Sequence, residues 1–413
     1  MSLNIRHLHV FHEVARLGSI SASAHAVHLT QPAVTQAIAQ IERHFQARLF
    51  TRTSTGMELT PAGNVCAERI SRALRALHEG IADILGGTSR DSGALTRLAH
   101  GVRTAQLRAL IAVAQHRNFT VAARASDLAQ PTIHRAARNL ERQLNVPLFE
   151  KTSYGVVPTS GAEQLARRAG VAFAELEQAQ AAVVALNGYE RGRTVIGALP
   201  LAHSFLVPDV LVTFTLRYPE HRIAITDGTY EQLIASLQMG QTDLLIAPWR
   251  DAVSARDIVQ EHLFDDPLSI VMRSNHPLAK RKRLSASDLS RHPWIAPRAG
   301  APMRAYYEAL FRFAGVPAPE RPVECNSLST ARDFLLASDR MMLLSANQIG
   351  HELEAGMLAA LPHPAGYVAR PIGLTLRRDW QPTSAQADFL RLLRQSPRAA
   401  AAANVRSGIR SAR

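Results

Sequence analysis

The sequence predicts a multidomain chain: two copies of one small helical module, each leading into a long helix, and then an α/β domain. Three observations carry this. Residues 8–60 recur at a constant shift of 99 positions, so that LTQPAVTQAIAQIERHFQARLFTRTSTG at 29–56 returns as LAQPTIHRAARNLERQLNVPLFEKTSYG at 128–155. Roughly a third of the aligned positions are identical without a gap, among them Ala24/Ala123, Gln31/Gln130, Pro32/Pro131, Glu42/Glu141, Phe50/Phe149 and Gly56/Gly155, which marks a duplication. An Ala-rich apolar run follows each copy, at 62–85 and 162–187. From Thr194 onward, short β-rich runs alternate with helical ones, the pattern of a mixed sheet with helices on it.

A chain of 413 residues is too long for one ordinary core, and two or three domains are expected. No stretch approaches the roughly 18–20 apolar residues needed to span a bilayer. The opening MSLNIRHLHVFHEV lacks the apolar run of a secretory leader, so the expected location is the cytoplasm, with no membrane partner. Cys66 and Cys325 are too far apart in sequence to suggest a disulfide or a thiolate metal site. His7, His9 and His12, or His25 and His28, are read as solvated helix surface, and neither a metal nor a cofactor is expected. The net charge of +13 is unevenly spread: residues 1–193 carry 22 Lys and Arg against 14 Asp and Glu, residues 194–397 carry 21 against 20, and residues 398–413 carry four Arg and no acid. Cationic excess concentrated on the repeats suits a polyanion, whose counterions are released on binding.

In the first copy, Ile5, Leu8, Phe11, Val14 and Ala15 form one apolar stripe over residues 4–17, and Gly18 ends that helix. A short helix at 21–27 presents Ala22, Ala24 and Ala26 for close helix crossing. After a turn at 28–30, Thr30 is placed as N-cap and Pro32 in the first turn of a third helix at 31–45. Val34, Ile38, Ile41 and Phe45 give that helix a buried face. Gln31, Pro32, Ala33, Thr35, Gln36 and Gln40 remain outward, where amide and hydroxyl groups suit base edges and phosphates in a major groove.

Each copy resembles the winged helix-turn-helix of LysR-type transcriptional regulators, whose hallmark reads roughly A-A-x-x-L-x-x-[ST]-Q-P-A-[VI]-S, then L-E-x-x-L-x-x-x-L-F-x-R and L-T-x-A-G. The resemblance makes the polar hairpin after Leu49 and Phe50 the wing, with Arg52 contacting the DNA backbone or a minor groove and Thr53 beside it as a DNA contact. The second copy keeps the apolar scaffold at Leu107, Leu110, Val113, Ala123, Leu128, Ile133 and Leu140. Its outer face is Gln130, Pro131, Thr132, His134, Arg135 and Arg138, with Lys151 and Thr152 in the wing. It departs from the pattern at Ala129, where a cap worth about 1 kcal/mol is missing, at Lys151, and at PTSGA in place of LTPAG.

The family uses the following helix for antiparallel dimerisation, which implies a homodimer or homotetramer. In the second such helix Leu165, Ala169, Ala172, Phe173, Leu176, Ala179, Val183 and Leu186 form a stripe near heptad spacing. Gly86, Gly87, Thr88 and Ser89, then Asp91, Ser92 and Gly93, are read as a flexible break that leaves the heads loosely oriented.

Strands are expected at 194–199, 223–226, 244–247, 268–272, 323–325 and 341–344. The run GALPLAHSFLVPDVLVTFTLRYPEHRIAITDG and the later MRSNHPLA resemble the LysR-type effector-binding domain, a two-lobed relative of periplasmic solute-binding proteins. The predicted organisation is therefore two all-α winged helix-turn-helix modules with linker helices (1–90 and 91–193), a two-lobed α/β effector domain (194–397) and a disordered basic tail (398–413). One lobe is expected at 194–264 with 372–397, the other at 265–371. The resemblance puts the ligand between the lobes, near Leu201, Ala202, His203, Thr229 and Trp249 on one side and Arg298, Gly300, Arg304, Asn326 and Ser327 on the other. Arg298 and Arg304 are the candidates for a carboxylate or phosphate, because guanidinium donates two parallel hydrogen bonds.

The function implied is a bacterial, sequence-specific DNA-binding regulator controlled by a small-molecule effector, of the sugar or organic or aromatic acid class. It would act on double-stranded DNA together with RNA polymerase. The alternative is an enzyme or solute receptor built on the two lobes, with the N-terminal modules as interaction domains. No G-x-S-x-G, H-E-x-x-H, Walker loop or metal-spaced Cys/His cluster supports it.

Overall fold

The computed structural model describes residues 3–54, 56–85, 92–153, 155–199, 202, 205–250 and 257–396. The first head is α1 (Ile5–Leu17), α2 (Ile20–Ala26), α3 (Gln31–Phe45) and the hairpin β1 (Phe50–Thr53) and β2 (Gly56–Leu59), followed by the long α4 (Pro61–Ile84). After α5 (Ser92–Gly101) the second head repeats the order: α6 (Thr104–His116), α7 (Phe119–Ala125), α8 (Gln130–Leu144), β3 (Phe149–Thr152), β4 (Gly155–Pro158) and the long α9 (Ser160–Ala185).

Local chemistry sets these boundaries. The Asn4 carboxamide accepts the Arg6 N–H at 3.0 Å to open α1, and Gly18 closes it at φ 63°, a conformation that a Cβ disfavours. Thr30 accepts the Ala33 N–H at 3.4 Å at the start of α3, whereas Ala129 leaves α8 without a side-chain cap. Val34, Ile38, Ile41 and Phe45 of α3 are buried, as are Ile133, Leu140 and Leu144 of α8. Two scaffold expectations need correction. In α2 the buried small residues are Ser23 and Ala24, while Ala22 and Ala26 face solvent, because the crossing with α3 is one step round the helix. Leu128 is 49% exposed, beside a hollow of about 700 Å³ between the second head and the C-terminal domain.

The heads are not loosely connected. α4 and α9 pack along each other as the most extensive helix pair in the described chain, and a single apolar core runs from Ile5 through to Val183. The α9 stripe is buried at Leu165, Ala169, Ala172, Leu176, Ala179 and Val183, with Phe173 half-buried and Leu186 exposed. Its cover is α4 of the same chain, with Cys66, Ile70, Ala73, Leu74, Leu77 and Ile81 buried on the facing side. A fully buried aliphatic side chain of this size contributes about 1.5–3 kcal/mol, so this pairing is a principal source of stability. The expected break at Gly86, Gly87, Thr88, Ser89 and Asp91 lies outside the described residues, and Ser92 and Gly93 begin α5 instead. That helix bridges the heads: the His100 ring sits 3.9 Å from the His9 ring, and the Leu98 carbonyl accepts from Gln143 at 3.2 Å.

The C-terminal domain continues with β5 (Arg193–Ala198), α10 (Leu206–Arg217), β6 (Arg222–Thr226), α11 (Tyr230–Gln238), β7 (Leu244–Pro248) and β8 (Ile258–Arg273). Then come α12 (Ala286–Arg291), β9 (Trp294–Ala296), α13 (Pro302–Ala314), β10 (Val323–Glu324), α14 (Leu328–Leu336), β11 (Met341–Ser345), α15 (Gly350–Glu354), β12 (Leu358–Pro362), β13 (Ala369–Arg377) and α16 (Ser384–Arg394). The strands follow the order β10-β9-β11-β8-β13-β7-β5-β6, with β12 also on β8. The 16-residue β8 belongs to both halves: its first part pairs with β13, and residues 268–273 pair with β11 and β12. Separate cores lie on the two halves, one around Phe205, Phe214 and Phe389, the other around Trp294, Tyr307 and Phe311.

Candidate nucleic-acid interface

Both third helices turn a polar face outward. On α3, Gln31, Pro32, Thr35 and Gln36 are exposed and Ala33 and Gln40 half-buried. Gln31 donates to Ser21 Oγ at 3.2 Å, which ties the start of α3 to α2. On α8, Gln130, Pro131, Thr132, His134 and Arg135 are exposed. Under the 99-residue shift, Thr35 becomes His134, Gln36 becomes Arg135 and Ala39 becomes Arg138, so the second helix gains cations where the first has neutral groups. A groove of about 640 Å³ runs along α8, lined by Gln130, His134, Arg135, Arg138, Asn139 and Arg142. Asn139 and Arg142 were absent from the sequence expectation, although they continue the Arg135 stripe at i+4 and i+7.

Arg138 has a second commitment. Its guanidinium donates to Glu141 at 2.6 Å, and Glu141 in turn accepts the N–H groups of Leu148 and Phe149 at 2.9 and 3.1 Å. That network links the outer helix to the start of the wing. The wing residues Arg52, Lys151 and Thr152 are exposed, and Thr53 is half-buried with its hydroxyl on the Gly56 carbonyl at 3.3 Å. Each wing is docked on its own head through one backbone bond, Met57 N–H to Gly18 at 2.8 Å and Val156 N–H to Arg117 at 3.1 Å.

In the C-terminal domain the candidate ligand residues separate. Asn326 accepts the Arg298 backbone N–H at 3.1 Å, which brings that loop to the start of α14, where Ser327 caps Thr330 at 3.3 Å. Gly300 follows in the same loop at φ 79°. Thr229 caps α11, and the Trp249 backbone N–H donates to the Pro371 carbonyl at 2.8 Å. Helix N-terminal amides at α11 and α14 are suited to anionic groups. Two expectations change. Ala202 is fully buried in the core of the first half and presents nothing to a cleft. Arg304 spends its guanidinium on its own chain, donating to Glu308 at 2.8 Å, Glu324 at 3.1 Å and the Pro297 carbonyl at 3.1 Å. Arg298 is the exposed guanidinium of that pair. Leu201 and His203 lie outside the described residues. Sequence reasoning passed over Tyr230, whose hydroxyl is buried without a hydrogen-bond partner among the described residues. The Arg250 guanidinium stacks 3.8 Å over its ring, and burial raises the phenol above its usual pKa. No helix among the described residues is long and apolar enough to cross a membrane.

Comparison with known proteins agrees with this division. The model of the bacterial regulatory helix-turn-helix protein, lysR family, matches twice, at residues 5–64 and 104–163. The LysR substrate binding domain model matches residues 187–398. The chain is 31% identical over 392 residues to the HTH-type transcriptional regulator GalR of Pseudomonas putida, an alignment covering 95% of this chain and 97% of that protein. It is 27% identical over 295 residues to the HTH-type transcriptional regulator PcaQ of Agrobacterium fabrum, covering 71% of this chain and 95% of PcaQ. A full-length OxyR variant from Pseudomonas aeruginosa shares the fold with a TM-score of 0.53 at 22% identity, over 70% of this chain and 97% of that one.

Proposed function

The chain belongs to the LysR family of transcriptional regulators, and from that premise we propose that both of its heads grip double-stranded DNA while a small molecule held between the C-terminal lobes controls the outcome. It is a DNA-binding transcriptional regulator with an effector-binding domain. The observation that carries the two-headed reading is the exposed polar face kept on both third helices, with one exposed cation, Arg43, on α3 and a more cationic set on α8. The contacts assigned to DNA are Gln31, Thr35, Gln36 and Arg52 in the first head and Gln130, His134, Arg135 and Lys151 in the second, with Pro32, Ala33, Gln40, Thr53, Pro131, Thr132, Arg138 and Thr152 around them.

The proposed effector is a sugar or an organic or aromatic acid, met by Arg298, Asn326 and Ser327 on one lobe and Thr229 and Trp249 on the other. Effector binding would change the lobe angle and so the presentation of the heads to DNA and to RNA polymerase. The protein is proposed to work in the bacterial cytoplasm, as a homo-oligomer and without catalysis. The test is selection of genomic fragments by the purified full-length protein. A long composite motif, one part lost with Gln36→Ala and the other with Arg135→Ala, is the expected result. A motif indifferent to one substitution, with the salt dependence of binding unchanged as well, would make that head structural, and no enrichment at moderate salt would return the two-lobed enzyme reading.

A further inference from the structure

The α4–α9 seam repeats itself under the duplication. Arg69 donates to Gln178 at 2.7 Å, and Arg168 pairs with Glu79 at 3.0 Å. Arg168 is Arg69 shifted by 99 residues, and Gln178 is Glu79 shifted by 99. The same contact is therefore made twice with the partners exchanged, which is the signature of an isologous, two-fold interface. The helices run antiparallel: Arg69 near the start of α4 meets Glu175 late in α9 at 2.9 Å, and a Cβ on Gly161 at the start of α9 would meet Ile84 at the end of α4 at 3.2 Å. One turn before that end, close approach depends on Gly80, where a Cβ would stand 2.9 Å from the Arg168 Cβ.

We propose that one chain is a complete head pair: its own duplicate supplies the partner, and the two heads, related by a pseudo-two-fold axis, read two inverted DNA arms of different sequence. This rests on the DNA-binding reading above. Three features favour pairing within the chain. The core is continuous from Ile5 to Val183. α5 packs on α1, α4 and α8, and Thr104 donates to the Leu3 carbonyl at 2.6 Å, so the joint between heads is built as well as the seam. A short covalent tether also holds the second half at an effective concentration that a separate chain seldom matches. The arms must differ because the outer faces differ: Gln36 suits the N6 and N7 edge of adenine, whereas Arg135 at the equivalent place suits O6 and N7 of guanine.

The seam is tested without DNA. In a Cys325→Ser background, Glu79→Cys and Arg168→Cys are placed together in the full chain and joined with a short bismaleimide; both positions are partly exposed, and Cys66 is fully buried. The expected product keeps the mass of one chain, and a mixture of the two single-Cys chains gives no cross-linked dimer. A doubled mass from that mixture would overturn the proposal. The arms are tested by selecting DNA with the wild type and with Gln36→Arg. An asymmetric inverted motif that becomes symmetric at one base step in the variant is expected; a symmetric wild-type motif would overturn the proposal. No selected motif, with the intrachain link formed, would overturn the DNA reading on which the arms rest and leave the seam standing.

Discussion

Glu42 and Glu141 hold the two wings in the same way. Oε1 of Glu42 accepts the backbone N–H groups of Leu49 and Phe50 at 2.8 and 3.4 Å, and Oε1 of Glu141 accepts those of Leu148 and Phe149 at 2.9 and 3.1 Å. Each carboxylate thus satisfies two donors that the turn into the wing leaves without partners. Removing one acceptor from buried donors costs about 1–3 kcal/mol. Glu141→Ala is expected to destabilise the second head by that amount and to release Arg138 from its 2.6 Å bond. Urea unfolding reads the energy, and amide exchange at Leu148 and Phe149 reads the site; unchanged protection at both amides would refute the assignment.

The two halves of the C-terminal domain are fastened at Asp266 and Arg370, cross-strand neighbours on β8 and β13 with 2.7 Å between their charges and side chains 0% and 7% exposed. Asp266 also accepts from Ser345, and from Asn347 at 2.9 Å. Losing one partner of a buried pair strands the other charge, at about 3–5 kcal/mol. Arg370→Met is expected to cost that much, and Asp266→Leu with Arg370→Met distinctly less. Denaturant midpoints of the three proteins decide the matter, and equal losses in the single and double variants would rule the explanation out.

How much of this was readable from the chain varies with how local each cause is. The stripe Val34, Ile38, Ile41 and Phe45, with Thr30 and Pro32 ahead of it, defines α3 from within its own residues, so it is legible. β8 is not: it passes from one half to the other, its buried face changes on the way, and Asp265 and Asp266 are buried inside it, which hides the alternation of an ordinary strand. In the sequence the first residues of α5, Ser92 and Gly93, likewise read as part of a break. The α9 stripe is plain in the sequence, but what covers it is a tertiary fact, and α4 of the same chain takes the place expected of a second chain. Among the ligand residues, the loss of Arg304 to Glu308 was available as an i,i+4 pair, whereas the burial of Ala202 depends on how the loop after β5 enters the core.

The joint between heads is expected to weaken in acid. His9 and His100 have ring centroids 3.9 Å apart. Burial pulls the His9 pKa down to about 3, assisted by the nearby His100, His78 and His12; burial also lowers that of His100, with His78, Arg6 and His28 in the same sense and Glu13 opposing. Well above pH about 6.5 neither the folded nor the unfolded chain holds these protons, so they give stability no slope. Between about 6.5 and 3 the unfolded chain takes up a proton that the folded one refuses at His9, His100 adds to this in the same direction, and stability falls as pH falls. Melting temperatures should be flat from pH 8 to 7 and decline toward pH 5, with the decline reduced in His9→Phe. An unaltered decline in that variant would place the acid sensitivity elsewhere.

Salt dependence separates the two kinds of contact that the outer helices are proposed to make. A cation that neutralises a phosphate releases counterions, so its loss lowers the slope of log affinity against log salt by about 1. An amide on a base edge carries no such term, and its loss instead costs about 1–3 kcal/mol of discrimination at one base. Lys151→Ala, in the exposed second wing, is therefore expected to flatten the salt slope and weaken all sequences alike. Gln36→Ala is expected to keep the slope and relax preference in one arm only. Arg135→Ala distinguishes two roles for the α8 groove: loss of preference in the other arm means that the guanidinium reads a base. A flattened slope with sequence preference intact would make it a phosphate contact, and base reading in the second head would then fall to Gln130, His134 and Asn139 along the same face.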